Sequence, residues 1–350
     1  MKRILTTLPI FFLFQLINAQ QFAYKIDYLF FFDNRESSIS TYEPETLFGM
    51  RLSPEIGLKI DDQLGGEHSI FVGASYIQPF GTTWSSIQLK PIAYYQYKQS
   101  GFTTTLGAIP YNNLKGKLPL YLWSESNQYY SPTIQGALFN YQSQHGFAEF
   151  FCDWRGMKSS TTREAFRLIA NGEYVNSWFA AGGIGQLNHL ANDASEIKKG
   201  VCDDITIQPY IKFQVTNYTP FDSLYLQTSY VGGFQRDRTA NESYINHGFM
   251  ADLYLKWRFI GCSNTFYAGD PIMPLYSTYG NLLNQGDANY QNSIYNRTDL
   301  FVYIIERPFV NLYFSWNIHY VPSEKIAHQQ QLILRFNLSE MKIDKKNRAL

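Results

Sequence analysis

Few residues in this chain have the types and spacing that chemistry requires. His68 and Ser69 begin an alternating segment, but neighbouring strand residues point to opposite faces, so this histidine and this serine cannot act on each other. The chain contains no Gly-x-Ser-x-Gly segment, which would place a nucleophilic serine on a sharp turn. Without a nucleophile–base pair that the geometry supports, the sequence predicts no catalytic residues.

Possible metal ligands crowd a single segment. His189, Asp193, Glu196, Cys202 and Asp203 fall within a predicted loop. Their spacing matches no ligand signature such as Cys-x-x-Cys or His-Glu-x-x-His. We therefore interpret the segment as a solvated acidic loop, and we expect no metal and no cofactor.

The N-terminus predicts export. Lys2 and Arg3 form a short basic region, the mostly apolar stretch 4–17 follows, and Ala19 supplies a small residue at a cleavage point. Residues 1–19 are therefore predicted to be a cleaved signal peptide. No later segment approaches the roughly 18 apolar residues of a membrane-spanning helix.

Beyond the signal peptide the chain repeats segments that are apolar at every second position. In 310–320, for example, Val310, Leu312 and Phe314 alternate with Asn311 and Tyr313. Alternation of this length indicates strands with one apolar and one polar face. Strands are predicted at 22–32, 46–60, 68–77, 86–97, 102–111, 132–141, 146–155, 164–174, 178–188, 204–216, 223–235, 247–259, 263–269, 299–306, 309–321 and 329–338.

The connections between these strands are alternately short and long. Short turns such as 98–101 and 307–308 alternate with loops such as 112–131 and 270–298. A membrane barrel has tight periplasmic turns, longer outer loops and an even strand number. The fold class predicted is therefore all-β, a transmembrane antiparallel β-barrel of about 16 strands (14–18). It forms one domain over 20–338, and 339–350 is predicted to be a polar periplasmic tail.

Composition agrees with this fold and excludes one class of partner. Aromatic residues make up 17% of the chain, and such residues favour strands and membrane interfaces. The formal net charge is zero, so no basic field is available for nucleic acid. Cys152, Cys202 and Cys262 are predicted to be free thiols, because Cys202 and Cys262 should lie at opposite ends of the barrel.

Over residues 22–338 the chain resembles the porin-type outer-membrane β-barrels of Gram-negative bacteria. The resemblance rests on the signal peptide, the alternating segments and the rhythm of turns and loops. It implies a location in the bacterial outer membrane, with outer-membrane lipid and the barrel-assembly machinery as partners. Phe336 and Leu338 could supply the assembly signal that such barrels carry in the last strand, although 339–350 continues beyond it. The oligomeric state is not indicated by any segment.

The predicted function is that of a pore for passive, weakly selective diffusion of small hydrophilic solutes, because a barrel of this size can hold a water-filled lumen. Charges of both signs on the predicted inward faces could set its field, or could form cross-strand pairs that only stabilise the wall. These pore-lining candidates are Lys25, Asp27, Arg51, Glu55, Lys90, Glu149, Asp153, Arg155, Arg167, Glu173, Lys212, Asp252, Lys256, Arg258 and Arg335.

Two long loops carry the remaining candidates. Folded inward they would narrow the pore, folded outward their aromatic rings could stack on sugars, and a cap of rings packed on one another is the third possibility. The residues concerned are Tyr121, Trp123, Asp270, Tyr276, Tyr279, Asp287, Tyr290, Tyr295 and Arg297. The alternative function is therefore a non-conducting surface barrel that binds or anchors glycan. An enzyme, of the kind found among outer-membrane lipases, is not expected.

Overall fold

Sixteen antiparallel strands close into one barrel in the computed structural model, which describes residues 20–191, 200–322 and 324–342. Each strand pairs with its neighbour in sequence, and β16 pairs with β1, so the sheet has no free edge. This confirms the predicted fold class. The predicted signal peptide and residues 343–350 of the predicted tail lie outside the described residues.

The strand bounds follow the alternating segments closely. The strands are β1 (Gln20–Glu36), β2 (Glu45–Asp61), β3 (Glu67–Pro79), β4 (Gln88–Gln99), β5 (Phe102–Pro110), β6 (Thr133–Ser143), β7 (Gly146–Gly156), β8 (Ala165–Val175), β9 (Phe179–Leu190), β10 (Cys202–Gln214), β11 (Ser223–Asp237), β12 (Glu242–Trp257), β13 (Ile260–Gly269), β14 (Ile294–Arg307), β15 (Val310–Tyr320) and β16 (Ala327–Lys342).

The alternation of side chains sorts the wall into a polar inside and an apolar outside. In β2, Glu55 and Lys59 are buried inside the barrel, whereas Ile56, Leu58 and Ile60 are exposed on the outside. Successive strand residues point to opposite faces, so the apolar side chains form the surface that meets lipid hydrocarbon. The polar side chains of the same strands are directed into the lumen.

The connections differ in length at the two ends of the barrel. One end carries short turns such as 100–101, 144–145 and 308–309, and the other carries the long loops 111–132 and 270–293. Long loops mark the outer end of such barrels and short turns the periplasmic end. We name segment 111–132 the plug loop and segment 270–293 the cap loop.

Short helices occur within the connections. Among the described residues, the α-helices are α1 (Glu125–Tyr130) in the plug loop and α2 (Tyr276–Tyr279) in the cap loop. Single 3₁₀ turns are formed by Trp84–Ser86, Tyr111–Asn113, Thr216–Tyr218, Gly280–Leu282 and Ala288–Gln291. Across the described ranges, no helix has both the length and the apolar character needed to cross a membrane.

The structure corrects several predicted boundaries. β14 begins at Ile294, so Tyr295 and Arg297 belong to the wall and not to the loop in which they were predicted. Arg258 lies in the turn between β12 and β13 with a φ of 52°, so it does not line the lumen as predicted. β16 continues to Lys342 and includes the first residues of the predicted tail. The three cysteines are free, as predicted.

Candidate functional site

The plug loop fills the middle of the lumen and contacts the wall on all sides. Arg51 of β2 donates to the carbonyl oxygen of Gln128 at 2.6 Å. Tyr121 donates to the side chain of Gln208 on β10 at 2.8 Å, and the backbone N–H of Lys115 donates to Glu149 on β7 at 2.7 Å. Because these strands lie on different sides of the barrel, the loop spans the lumen.

An ion-pair network ties α1 to the wall. Glu125 accepts from Arg297 on β14 at 2.7 Å and from Gln329 on β16 at 2.8 Å. Gln329 also donates to Asp33 on β1 at 2.7 Å. Burial is the largest single effect and raises the pKa of the Glu125 carboxyl. The charge and hydrogen bond of Arg297, together with the charge of Arg35 and the hydrogen bond from Gln329, outweigh it and lower that pKa to about 2. The network therefore holds an ionised Glu125 at ordinary pH.

The cap loop covers the plug loop from the outer side. The backbone N–H of Leu275 donates to Gln235 at 3.0 Å, and Asn284 donates to Asp204 at 3.1 Å. The two loops also contact each other, since the N–H of Ser124 donates to the carbonyl oxygen of Gln285 at 2.9 Å. Both loops are therefore folded inward, which was one of the predicted arrangements.

The aromatic candidates of the loops are buried and pack on one another. Tyr121 and Tyr290 form an edge-to-face pair with ring centroids 5.8 Å apart, and Trp123 stacks on Tyr111 at 4.5 Å. Tyr279 is buried and donates to Asp237. Rings in these positions present no open face to a sugar.

The other predicted residues of the cap loop make local contacts. Tyr276 is half-buried. Asp270 accepts a hydrogen bond from the backbone N–H of His247, and Asp287 caps the 3₁₀ turn that follows it.

Most of the predicted inward charges lie on the inner wall and are paired or hydrogen-bonded. Asp27 pairs with Arg51 at 3.1 Å, Asp153 with Arg167 at 3.4 Å, Glu173 with Lys212, and Lys256 with Glu306 at 2.7 Å. Lys25 donates a hydrogen bond to Tyr94, and Tyr94 donates one to Glu55. Asp252 accepts a hydrogen bond from Thr265. Lys90 donates to a backbone carbonyl oxygen of the plug loop, and Arg155 donates to a backbone carbonyl oxygen of the cap loop. Arg335 is exposed within the lumen. The predicted cross-strand pairing therefore holds for Asp153 and Arg167, whereas Glu173 pairs with Lys212 on β10.

A histidine–carboxylate pair lies on the outside of the barrel, near its outer end. Nδ1 of His189, at the end of β9, is 2.8 Å from Oδ1 of Asp203, at the start of β10. The two residues face each other directly in the β9–β10 register. Their sequence neighbours Asn188, Leu190 and Cys202 are buried inside, so strand alternation directs His189 and Asp203 outward. We name these two residues the rim pair.

Aromatic rings border the rim pair on one side and arginines on the other. Phe166 of β8 stacks on the His189 ring with centroids 5.1 Å apart, and Trp154 of β7 stacks on Phe166 at 5.5 Å. On the far side, Arg238 pairs with Asp203 at 2.7 Å. Arg236 lies opposite Asp203 on β11 and is exposed.

The arrangement suits proton transfer. When Nδ1 of a histidine donates to a carboxylate, the ring is held in one orientation and Nε2 keeps its lone pair. The side chain of His189 is 20% exposed, so a substrate or water can reach it from the bilayer side. In the described segments, no serine or threonine hydroxyl is hydrogen-bonded to His189.

Other outward-facing histidines lack this combination. His247, near the outer end, contacts the hydroxyl of Tyr230 through its ring and not a carboxylate. His328 packs against Trp316. His68 does contact a carboxylate, Asp62 at 3.2 Å, but it lies beside the short turn 62–66 at the periplasmic end.

Sequence reasoning identified both members of the rim pair but assigned them to a loop and considered them only as metal ligands. In the structure they are strand residues, because β9 ends at Leu190 and β10 begins at Cys202. Asp193 and Glu196 fall outside the described residues, and within the described ones no group of three or more metal-ligating side chains occurs. The pair could have been found only from the register of the β9–β10 hairpin, which places His189 opposite Asp203.

Two solved structures share the fold of this chain. A loop-deleted form of OmpT, an outer-membrane protein of Vibrio cholerae, is 8% identical, with a TM-score of 0.56 over 91% of this chain and 100% of that one. OccK9 of Pseudomonas aeruginosa is 9% identical, with a TM-score of 0.53 over 93% of this chain and 99% of that one. These two likenesses show the fold, that of a closed β-barrel.

Sequence comparison adds a family. A family model described as lipid A 3'-O-deacylase-type matches residues 14–344, whereas no curated protein sequence matches significantly. The family is a family of enzymes, so the expectation that this chain is not an enzyme is wrong. That expectation rested on the search for a serine nucleophile beside a base, which a histidine acting on water does not require.

Proposed function

The chain belongs to the lipid A 3'-O-deacylase-type family, and from this premise we propose that it hydrolyses an ester-linked acyl chain of lipid A in the outer leaflet. The observation that carries the proposal is the contact of 2.8 Å between His189 and Asp203 on the outer wall. Lipid A lies in the outer leaflet, with its ester groups between the headgroup and the acyl chains. A base at the outer end of the wall is at the corresponding depth.

The proposed reaction is ester hydrolysis by an activated water. Nε2 of His189 accepts a proton as the water oxygen attacks the ester carbonyl carbon, and Asp203 stabilises the imidazolium that forms. The tetrahedral intermediate then breaks its bond to the sugar oxygen, and His189 returns the proton to that leaving oxygen. The products are a fatty acid and a free sugar hydroxyl, with no other reactant consumed.

The cations beside the rim pair suit the substrate. Lipid A carries phosphate groups, and the guanidinium group matches phosphate geometry through paired N–H donors. Arg236 and Arg238 lie on the Asp203 side of the rim pair, and both are exposed. We propose that they bind the phosphate groups of the headgroup and stabilise the negative charge that develops on the carbonyl oxygen. Phe166 and Trp154, on the other side, would face the start of the acyl chain.

The test is an assay of purified protein reconstituted with lipid A, in which fatty acid release is measured by mass spectrometry. We expect His189→Gln to lower the rate by about 10²-fold or more, because general-base catalysis is typically worth about 10² to 10⁴. The matched control is His247→Gln, which changes another outward histidine of the same end and should leave the rate unchanged. Equal loss in both variants, or full activity of His189→Gln, would remove the rim pair from the reaction.

A second candidate function is passive, weakly selective diffusion of small hydrophilic solutes. It is supported by the likeness to porin-type barrels and by two charged cavities of ≈ 160 Å³ and ≈ 330 Å³ below the plug loop. The contacts of the plug and cap loops oppose it, since they cross the lumen. Planar-bilayer recordings test this function: stable ohmic steps from the wild-type protein would support diffusion. Absence of current, followed by current after deletion of 272–292, would attribute closure to the cap loop.

A further inference from the structure

The lumen beneath the plug loop holds two adjoining cavities, of ≈ 160 Å³ and ≈ 330 Å³. They share Asp27, Glu55 and Asn112 in their walls. The larger one reaches Lys98 and Thr103, which flank the periplasmic turn between β4 and β5. The larger cavity therefore extends to the periplasmic end of the barrel, whereas the rim pair lies near the outer end.

Basic side chains predominate in these walls. The only acidic residues that line the two cavities in the described structure are Asp27 and Glu55. The basic residues of the smaller cavity are Arg51, Lys117 and Arg335, and those of the larger cavity are Lys25, Lys98 and Lys115. Six cations and two carboxylates thus line a space whose walls have a lower dielectric constant than water, which strengthens the positive potential. One of the six, Lys98, also pairs with Glu67 at 3.8 Å.

Both carboxylates already have partners in the wall. Asp27 pairs with Arg51 at 3.1 Å and accepts from Asn337 at 3.1 Å. Glu55 accepts from the hydroxyl of Tyr94 at 2.7 Å. In the described ranges neither carboxylate makes an ion pair with the remaining cations of the smaller cavity, Lys117 and Arg335.

Two cations of the smaller cavity form no ion pair with any residue that the structure describes. Over the described ranges, neither Lys117 nor Arg335 makes an ion pair or a side-chain hydrogen bond, and both are exposed to the cavity. Their charges repel each other, and Arg335 also repels Arg51. Nε of Arg51, in a side chain only 8% exposed, has no hydrogen-bond partner. Like charges held this close favour the binding of an anion between them.

We propose that this cavity pair is a binding site for a small phosphate-bearing solute that enters from the periplasm, with Lys117 and Arg335 as its principal contacts. Phosphate is the anion that suits this set, because arginine binds it through paired donors and lysine as a point charge. Asn112, between the two cavities, can donate a neutral hydrogen bond to the same solute. The plug loop contributes Asn112 and Lys117 to the site, and the wall contributes Arg335.

The proposal is tested by calorimetric titration of the full chain, folded in detergent, with inorganic phosphate and separately with glucose 6-phosphate. We expect saturable binding that weakens as salt rises, because the contacts are ionic. Lys117→Gln and Arg335→Gln should each weaken it about 10-fold, as one charged hydrogen bond is lost. Tighter binding of glucose 6-phosphate would identify an organic phosphate as the ligand, and equal binding would identify inorganic phosphate.

The matched control is Lys158→Gln, which removes an exposed lysine from the outer loop 157–164 and should not change the affinity. Heat-dependent mobility in gels confirms that each variant is folded. The proposal fails if the wild-type protein shows no saturable binding, or if both cavity variants bind as tightly as wild type. Because the rim pair lies at the other end of the barrel, loss of lipid A hydrolysis would not affect this result.

Discussion

His189 and Asp203 stand directly opposite each other on β9 and β10, with Nδ1 and Oδ1 2.8 Å apart on the lipid-facing wall. Most polar side chains of the strands face the lumen, where they are buried under the plug and cap loops. This pair instead projects outward, with aromatic rings on one side and arginines on the other. A lipid-facing wall normally disfavours charges at its middle and tolerates them near its ends, and the rim pair lies at such an end.

Replacement of Asp203 by asparagine tests the orienting role of the carboxylate. In Asp203→Asn the new side chain could present its amide nitrogen to Nδ1 of His189 and favour the wrong tautomer, so we expect kcat to fall about 10²-fold with little change in KM. Steady-state kinetics with lipid A in mixed micelles would measure both. A variant that loses affinity but keeps kcat would show that Asp203 holds the substrate and does not orient the base.

Replacement of Glu125 by glutamine tests the anchor of the plug loop. The variant loses the ion pair with Arg297, 2.7 Å away, so we expect the loop to detach more often and channel current to increase. The matched control is Glu306→Gln, which breaks the exposed pair with Lys256 at the periplasmic end. Unchanged current in Glu125→Gln would show that the other contacts suffice to hold the loop.

Acid should weaken the same ion pair between Glu125 and Arg297. Burial raises the pKa of Glu125, but Arg297, Arg35 and Gln329 together depress it from its ordinary value of 4.5 to about 2. A depressed carboxyl pKa stabilises the folded arrangement above the ordinary pKa, and this stabilisation is lost as pH falls from about 4.5 towards 2. Current in the wild-type protein should therefore rise over that interval, and less so in Glu125→Gln. An equal rise in both would assign the effect to other groups.

Replacement of Arg167 by methionine tests the buried pair inside the wall. Arg167 is fully buried, packs its guanidinium 4.5 Å from the Trp123 ring centroid, and pairs with Asp153 at 3.4 Å. Removing one partner of a buried pair leaves an uncompensated charge, so the free energy of unfolding should fall by about 3–5 kcal/mol. Urea unfolding in lipid vesicles measures this. The matched control Lys256→Met disrupts a more exposed pair and should cost about 1 kcal/mol or less.

Gly146 and Gly185 offer a test of backbone geometry. Gly146 has a φ of 134°, and a Cβ there would come within 1.9 Å of the carbonyl oxygen of Glu173. We expect Gly146→Ala to lower the free energy of unfolding by about 2 kcal/mol or more, or to prevent folding. At Gly185 the nearest atom would be 3.9 Å away, so Gly185→Ala should unfold like wild type. Equal stability of both variants would contradict the backbone conformation at the start of β7.

The barrel could be predicted from the sequence because its pattern is local. Each strand needs only apolar residues at every second position, as in 310–320, and the turn and loop lengths then order the strands. The bounds of β13 and β14 were harder to predict from the sequence. Tyr295 and Arg297, at the start of β14, are polar residues on the inward face and therefore resemble loop residues. The inward direction of Arg297 is fixed by its contact with α1, which is distant in sequence.

The position of the long loops and the rim pair could not be predicted in the same way. Tyr121 and Trp123 would suit an exposed, sugar-binding loop equally well, and only their contacts with Gln208 and Tyr111 direct them inward. His189 and Asp203 belong to two different strands, so their pairing depends on the register between those strands. The enzyme was missed because the search sought a serine nucleophile and not a base acting on water.

The proposed hydrolysis is tested most directly by the mass of lipid A after incubation with the reconstituted wild-type protein and with His189→Gln. We expect the wild-type protein to release one ester-linked acyl chain as free fatty acid, which leaves lipid A lighter by that chain. We expect His189→Gln to leave the mass of lipid A unchanged. Unaltered lipid A with folded wild-type protein, or the same loss of mass with His189→Gln, would contradict the proposed reaction.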